Sequence, residues 1–400
     1  MPSVDLRSWG RRLALEGNIR VLALQTLVSQ LGFGMFYVIW QPYILKTGVS
    51  VVGLGVVQSV VNLSTAAGLI SWGALSDRYG RKPVILLAHG FKVLAIVALL
   101  ISGDLIFLLV FAFLIGFSSL FMQGNPARSA LISESVGDDS RATAYSVLMS
   151  ISMIVNTVTA SAGGWLAMTS GYTPIFYVCL VGEVLGLILM FAYLRETREP
   201  IVVDGEKSVG IWEGIKGLLL PEEGMGRLYA ILLVMGFGYS TGFSLFYGTL
   251  VDNYGFTEFQ LGLLSTVFNL TWGLSSIPIG RLSDRFGRKP MLMASWAMAI
   301  ISIVGFIFSR RFEMFLLFQV ANGLDPAFWV PAWMALLSEK VPSNRRSTVM
   351  GKIDAAARLA GIPAPWLGGL LYSAYGFGAP LSVHLGCLML SGFLIFTMKE

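Results

Sequence analysis

Gly73-Ala-Leu-Ser-Asp-Arg-Tyr-Gly-Arg-Lys-Pro83 returns 207 residues later as Gly280-Arg-Leu-Ser-Asp-Arg-Phe-Gly-Arg-Lys-Pro290, with changes only at Ala74/Arg281 and Tyr79/Phe286. The same separation pairs Gly48 with Gly255 and Asn62-Leu63-Ser64 with Asn269-Leu270-Thr271. Further along it becomes 205 and pairs Pro126-Ala127 with Pro331-Ala332 and Leu131-Ile-Ser-Glu134 with Leu336-Leu-Ser-Glu339. It continues through Arg141/Arg346, Gly163-Gly164/Gly368-Gly369 and Gly171/Gly376. Agreement at so many separate points marks a duplicated unit.

The duplicated unit is made for lipid. Apolar residues are 55% of the 400 and charged residues 13%, against about 25% charged in soluble domains. Mean hydropathy is +0.72, and so few charges do not cover a water-facing surface. Twelve apolar runs lie near 20–45, 53–76, 84–103, 105–132, 142–168, 173–195, 228–251, 260–282, 290–309, 312–337, 347–372 and 377–398. Each is close to the roughly 20 helical residues that span a bilayer core. Only helices and closed barrels satisfy every backbone group in lipid. Alternating ten-residue barrel segments are absent, so the chain is read as an all-α membrane protein of about twelve spans. The 45 glycines suit close helix–helix approach in that solvent.

The first run follows Arg7, Arg11 and Arg12. It is too long for a signal-peptide core and lacks a small-residue cleavage site, so it reads as a permanent span. Cys179 and Cys387 fall inside apolar runs and read as packing residues, neither disulfide nor metal ligands. The net charge of +5 sits between the apolar runs, which argues against nucleic acid. One set of loops holds Arg20, Arg78, Arg81, Lys82, Arg141, Arg195, Arg227, Arg285, Arg288, Lys289, Arg345 and Arg346, while the opposite set holds only Lys46, Arg310 and Arg311. The rich side is cytoplasmic by the positive-inside rule, which puts both termini inside a prokaryotic-type inner membrane. Three segments follow: a six-helix bundle over 1–195, a cytoplasmic linker over 196–227 and a second six-helix bundle over 228–400. In the linker Ile211, Trp212, Ile215, Leu218 and Leu219 share a helical stripe. That fits a short amphipathic helix on the inner interface, with a flexible tether as the alternative.

At the repeated stretch the chain resembles the major facilitator superfamily, whose Gly-x-x-x-Asp-Arg-x-Gly-Arg-Lys signature is present in both halves. The resemblance spans the full length. It implies two six-helix bundles around a central cavity, with alternating access by rocking. It also implies a small-molecule substrate, a monomer among membrane lipids, and no cofactor or metal. No nucleotide-binding Gly-x-x-x-x-Gly-Lys-Ser/Thr loop is present, so protons are the expected coupling ion. Within the signature, Gly80 supplies a tight turn. Arg81 is expected to bridge Asp77 and Glu134, and Arg288 to bridge Asp284 and Glu339. Arg78, Arg285 and Gly287 complete the motif. Such clusters would hold the inner ends together when the cavity opens outward; the plainer reading is that the arginines only set topology.

Ionisable residues inside spans are expensive and read as functional. Asp325 lies in the tenth span, and Asp354 and Arg358 lie four apart in the eleventh, on one helical face, with Lys352 nearer the inner end. Their first-half counterparts are Leu120, Met149, Met153 and Val147, so the scaffold does not require these charges. Arg358 either anchors an anionic group or keeps Asp325 and Asp354 ionised. An unpaired carboxyl there binds a proton more readily than in water. Lys92, with His89 a turn below, and Glu183 read as a neutralising pair, with a proton path as the alternative. Further candidates on spans that line the cavity in the resembled family are Gln30, Tyr37, Gln41, Gln123, Asn125, Arg128, Tyr239, Phe243, Phe246 and Tyr247.

Drug–proton antiporters are the nearest likeness within the family. Their Arg-x-x-Gln-Gly appears here as Leu120-Phe-Met-Gln123-Gly124, and their Gly-Pro-x-x-Gly-Gly as Thr159-Ala-Ser-Ala-Gly163-Gly164, with Ala364-Pro365-Trp-Leu-Gly368-Gly369 coming closer. Three functions stand. The first is proton-coupled export of amphipathic or lipophilic compounds. The second is uptake or exchange of a small organic anion. The third is a non-transporting sensor or assembly factor. An enzyme is not expected, because neither a nucleophile–base set nor a metal cluster is legible.

Overall fold

The computed structural model describes residues 15–120, 124–137, 140–197, 225–340 and 356–396. The side chains of 142, 283–284, 334–340 and 395–396 are not among them. The first repeat contributes α1 (Gly17–Lys46), α2 (Val51–Tyr79), α3 (Arg81–Ile101), α4 (Leu105–Phe117), α5 (Pro126–Glu134), α6 (Arg141–Ser170) and α7 (Thr173–Tyr193). The second contributes α8 (Gly226–Phe243), α9 (Phe246–Tyr254), α10 (Glu258–Phe286), α11 (Arg288–Phe308), α12 (Phe312–Lys340), α13 (Ala364–Tyr375) and α14 (Gly378–Phe396). Seven helical stretches among the described residues are long and apolar enough to cross a membrane, with α8 and α9 counted as one.

The repeat is copied in backbone as well as in sequence. The bounds of α2 and α3 recur 207 residues on as those of α10 and α11. The glycines that precede α3 and α11, Gly80 and Gly287, have φ of 94° and 88°. Only glycine adopts such angles without strain. Gly48/Gly255 and Gly171/Gly376 are positive-φ pairs as well.

The two copies of the fourth span differ. The sequence reads 105–132 as one run, but the helix breaks after Phe117 and Ser119 adopts φ 53°. Asn125 starts the chain again as α5: its side chain accepts from Ala127 N and Arg128 N, with Pro126 at the first helical position. That is a strong local start signal, and an apolar count does not see it. Backbone groups freed in lipid must find partners. Here Trp72 Nε1 donates to Phe117 O, and Asn125 Nδ2 donates to Ser118 O at 3.1 Å. The equivalent α12 runs unbroken despite Pro326 and Pro331. Two further spans break, between α8 and α9 and at 361–363 before α13.

Two compact units result. One takes in the described residues of Met1–Ile39 and Ser64–Glu206, the other those of Trp40–Leu63 and Lys207–Glu400. The far hairpin of α1 and α2 thus packs with the second repeat. In the first unit α3 contacts α4, α5 and α7, and α6 contacts α7. Ile19, Leu22, Trp72, Ile85, Leu131 and Met190 meet in its core. In the second, α10, α11 and α12 pack together, while α14 lies against α8, α11 and α13.

Small residues set the closest approaches. A Cβ on Gly32 of α1 would run into the Cys179 backbone of α7, and one on Gly163 of α6 would lie 2.6 Å from Met35 Cα. Nothing lies within 4 Å of a Cβ on Gly90. Gly32→Leu is therefore expected to lower stability by about 1–3 kcal/mol or prevent folding, while Gly90→Leu stays within about 0.5 kcal/mol of wild type. Thermal unfolding in detergent reads both, and equal effects would refute the packing argument.

Candidate functional site

At the Gly80 end of the first unit, Arg81 is the hub. Its guanidinium reaches Asp77 Oδ1 at 2.8 Å, Ser76 Oγ at 2.8 Å and Glu134 Oε1 at 2.9 Å through Nη2, with Nε to the same oxygen at 3.1 Å. The Arg81 side chain is 8% exposed and Asp77 60%. The cation is therefore the partly desolvated member, and the paired geometry on Glu134 is the stronger contact. Thr197 Oγ1 also donates to Glu134 Oε2 at 2.6 Å. The joined residues come from the ends of α2, α3 and α5 and from the segment after α7. All belong to one repeat, so the cluster stiffens the end of one bundle.

Sequence reasoning missed Glu196. Its carboxylate accepts from Arg81 N at 2.8 Å and Lys82 N at 2.9 Å. It caps α3 from a distance of more than a hundred residues, where Gly80 has no side chain to do so. A negative group at a helix N-terminus is favourable. The signal was Arg195-Glu-Thr-Arg198 closing the first repeat. Lys82 turns to Phe191 O at 2.9 Å. Arg78 lies exposed over the Tyr79 ring at 5.3 Å, as Arg285 lies over Phe286 at 5.5 Å. For the second copy of the motif, Gly287 and the start of α11 at Arg288 are seen, while the Asp284 and Glu339 side chains lie outside those described.

At the Lys46 end, inside the second unit, the breaks in the spans are bonded by the first repeat. Gln41 donates to Ser244 O at 2.6 Å and accepts from Gly248 N at 2.9 Å, filling the gap between α8 and α9. Asn62 donates to Gly361 O at 3.0 Å at the break before α13, and Trp366 N donates to Ser59 Oγ at 3.3 Å. Lys46 pairs with Glu258 at 2.9 Å. Gly55 packs on the Pro365 backbone and Gly369 on that of Val51 and Val52.

Inside the first unit lies a buried polar network. Glu183, 0% exposed, accepts from Lys92 Nζ at 2.7 Å and Ser29 Oγ at 2.6 Å on Oε1, and its Oε2 lies 3.1 Å from His89 Nε2. Lys92 also lies 3.8 Å over the Phe33 ring. Close by, Arg128 donates to Thr26 Oγ1 at 2.8 Å and lies 3.5 Å from Gln25 Oε1. A cavity of about 30 Å³ opens among Gln25, Thr26, Gln30, Lys92 and Arg128. The second repeat makes the same joint without the charges. Trp296 Nε1 donates to Leu388 O at 2.7 Å where His89 Nε2 meets Glu183 O at 2.9 Å, and Ala299, Leu388 and Trp333 stand at the positions of Lys92, Glu183 and Arg128.

The remaining candidates are scattered. Asp325 on α12 accepts from Ser295 Oγ of α11 at 2.5 Å. Arg358 is exposed, and among the described residues no ion pair joins it to Asp325. Asp354, Lys352, Gln123 and the linker stripe at 211–219 lie outside the described residues. Asn125 is spent as a helix cap. Tyr37 is 38% exposed. Phe243 stacks on Tyr239 at 5.5 Å and meets His384 edge-on at 5.3 Å, and Tyr247 is half-buried beside Phe246.

A sequence profile described as Major Facilitator Superfamily matches residues 22–246 and 228–400. The chain is 23% identical over 342 residues to the multidrug resistance protein MdtG of Salmonella arizonae, covering 84% of this chain and 82% of the relative. Among solved structures it resembles a bacterial homologue of the iron transporter ferroportin in its inward-facing state, with a TM-score of 0.74, 16% identity and coverage of 94% and 97%. It also resembles a D-xylose–proton symporter, with a TM-score of 0.73, 17% identity and coverage of 96% and 98%. At such identities the structures speak for the fold alone.

Replacing Glu196 by alanine frees the Arg81 and Lys82 N–H groups and is expected to cost about 1 kcal/mol, as loss of a helix cap does. Arg81→Gln leaves Glu134 and Asp77 facing each other without a cation and is expected to cost more, about 2–3 kcal/mol. Chemical unfolding of the two variants in detergent tests the order, and a reversed order would remove Arg81 from the centre of the cluster.

Proposed function

The chain belongs to the Major Facilitator Superfamily, and on that footing we propose that it exports amphipathic or lipophilic compounds in exchange for protons by alternating access. It is an integral membrane transporter, not an enzyme. The observation that carries the alternating-access reading is the bonding at the Lys46 end. There the two repeats are joined by hydrogen bonds from Gln41 and Asn62 to backbone groups at helix breaks, with one partly exposed ion pair. Each such bond has a net worth of about 1 kcal/mol, and together with the close contacts of Gly55 and Gly369 they make up the joint that alternating access must open. Export of drug-like compounds is suggested by the multidrug resistance relative.

With the basic loops cytoplasmic, the Gly80 end and both termini lie inside, and the Lys46-end bonds form the outer gate. Arg81 with Asp77, Glu134 and Glu196 then keeps the inner end of the first bundle rigid while it rocks, and the Asp284, Arg288 and Glu339 set does the same for the second. Asp325 is the proposed proton carrier. It sits mid-span with a hydroxyl donor at 2.5 Å, a setting in which taking up a proton removes a charge that lipid disfavours. Asp354 and Arg358 complete the coupling set.

Two outcomes test this. Distances between spin labels on the Lys46-end loops should show Gln41→Ala shifting the open population about fivefold, the equivalent of one hydrogen bond; an unchanged distribution would rule out the gate. In proteoliposomes, an imposed pH gradient should drive ethidium movement by the wild type. Asp325→Asn should abolish gradient dependence and leave ethidium exchange intact. Full gradient dependence in that variant would exclude Asp325 as the carrier.

A further inference from the structure

Duplication separates what the joint between α11 and α12 needs for packing from what has been added to it. In the first copy the equivalent positions are Ala88 and Leu120, both buried in the apolar core of that unit. In the second they are Ser295 and Asp325. The acid and its hydroxyl occur together in one copy, and neither occurs in the other. Packing therefore requires neither, and the two read as a pair.

Ser295 is buried and donates to Asp325 Oδ1 at 2.5 Å, a length typical of a hydroxyl on a charged oxygen. The other serine of α11, Ser302, donates to its own helix at Ala299 O, 2.9 Å away, as helical hydroxyls commonly do. Ser295 instead turns across to α12. The elements packed on α12 are chiefly α10 and α11, and among the described residues neither brings a charge to the pair. The charges of α11 are Arg288 and Lys289, six or more residues from Ser295 and hence about 9 Å or more along the helix. On α10, Phe268 and Thr271 meet α12 at Gly323, about 15 Å along the helix from Arg281 and further from Glu258. On α12 itself Glu313 lies about 18 Å before Asp325. One hydroxyl is thus the polar contact of this carboxylate among the described residues.

We propose that Ser295 is the positioning residue of the proton site: it donates to Asp325 while the carboxylate is ionised and accepts from it once a proton has arrived. On uptake an O–H bond forms at Asp325 and points to Ser295 Oγ. The serine hydrogen turns back to a carbonyl of its own helix, as that of Ser302 does. On release both hydrogen bonds reverse. A donor bonded to the charged form favours that form, so Ser295 loosens the hold of a carboxyl at membrane depth and lets it give up what it takes. A group that must both bind and release works best near the ambient pH. The inference rests on the reading of Asp325 as the carrier; the hydrogen-bond exchange between the two side chains does not.

The test uses the full chain in phosphatidylcholine nanodiscs. Infrared spectroscopy follows the C=O stretch of protonated carboxyl groups against pH, and subtracting the Asp325→Asn spectrum isolates the Asp325 band. Ser295→Ala installs the residue of the first copy. It should raise the midpoint of that band by about one pH unit, a tenfold tighter hold on the proton, the usual scale of one hydrogen bond to a charged group. Ser295→Thr keeps the hydroxyl and should restore most of the shift. In proteoliposomes the pH of half-maximal gradient-driven ethidium movement should move up with the band. If Ser295→Ala does not fold, Ser295→Cys, a weaker donor, should shift the midpoint the same way by less. A midpoint that stays or falls in the variant lacking the hydroxyl overturns the proposal. So does a shift as large in Ser295→Thr as in Ser295→Ala, which marks a packing effect. A midpoint that follows Ser295 while Asp325→Asn keeps full gradient dependence would leave the pair and sink the carrier. Lost gradient dependence in Asp325→Asn with a midpoint indifferent to Ser295 would do the reverse, and a wild type without a titrating Asp325 band removes both.

Discussion

A backbone N–H or C=O left unpaired in lipid is costly, and the places where this chain interrupts its helices show what it does about that. Among the described residues three spans are interrupted, after Phe117, at 244–245 and at 361–363. At each break a side chain from elsewhere in the sequence reaches a freed group: Trp72 at Phe117, Gln41 at Ser244 and Gly248, Asn62 at Gly361. The first repair stays within one repeat, and the other two join one repeat to the other. The last two breaks thus supply a donor, Gly248 N, and acceptors, Ser244 O and Gly361 O, for a joint between repeats.

Electrostatics divides the molecule differently. At the Gly80 end the charges are partly exposed and joined through one desolvated guanidinium, so their contribution is mechanical. Deep inside the first unit the charges are fully enclosed, and lipid makes each of them expensive. Duplication supplies the control: the two repeats began as one sequence, and the second holds the same ring-to-carbonyl contact with Trp296 and Leu388 where the first has His89 and Glu183. Charge was therefore added to, or kept in, only one copy. Asp325 is the converse case, ionisable in the second copy where the first has an apolar residue. The two copies of one duplicated scaffold thus hold unlike polar centres.

Much of the Gly80-end cluster was legible, because Asp77, Gly80 and Arg81 are adjacent in sequence and their geometry is local. Glu134 followed from its repeat position. Glu196 did not, since a cap supplied from more than a hundred residues away leaves no local pattern. Gln41 was legible as a polar residue on an apolar span but not as a brace, because the gap it fills is created by a distant helix break. Asn125 suggested a cavity group by its depth; the Pro126 that follows it, a start signal, is what commits its oxygen to the backbone.

By itself the sequence determined the solvent, the helical class and the duplication. Those depend on composition, run length and self-similarity, quantities that each segment carries alone, and the positive-φ glycines at 80 and 287 belong with them. Only the tertiary structure decided where spans break, which side chains close the breaks, and that Arg128 and Lys92 share a cavity. The reason is that an unpaired group in lipid accepts whichever donor the packing brings within reach, and reach is fixed by helices far apart in the chain.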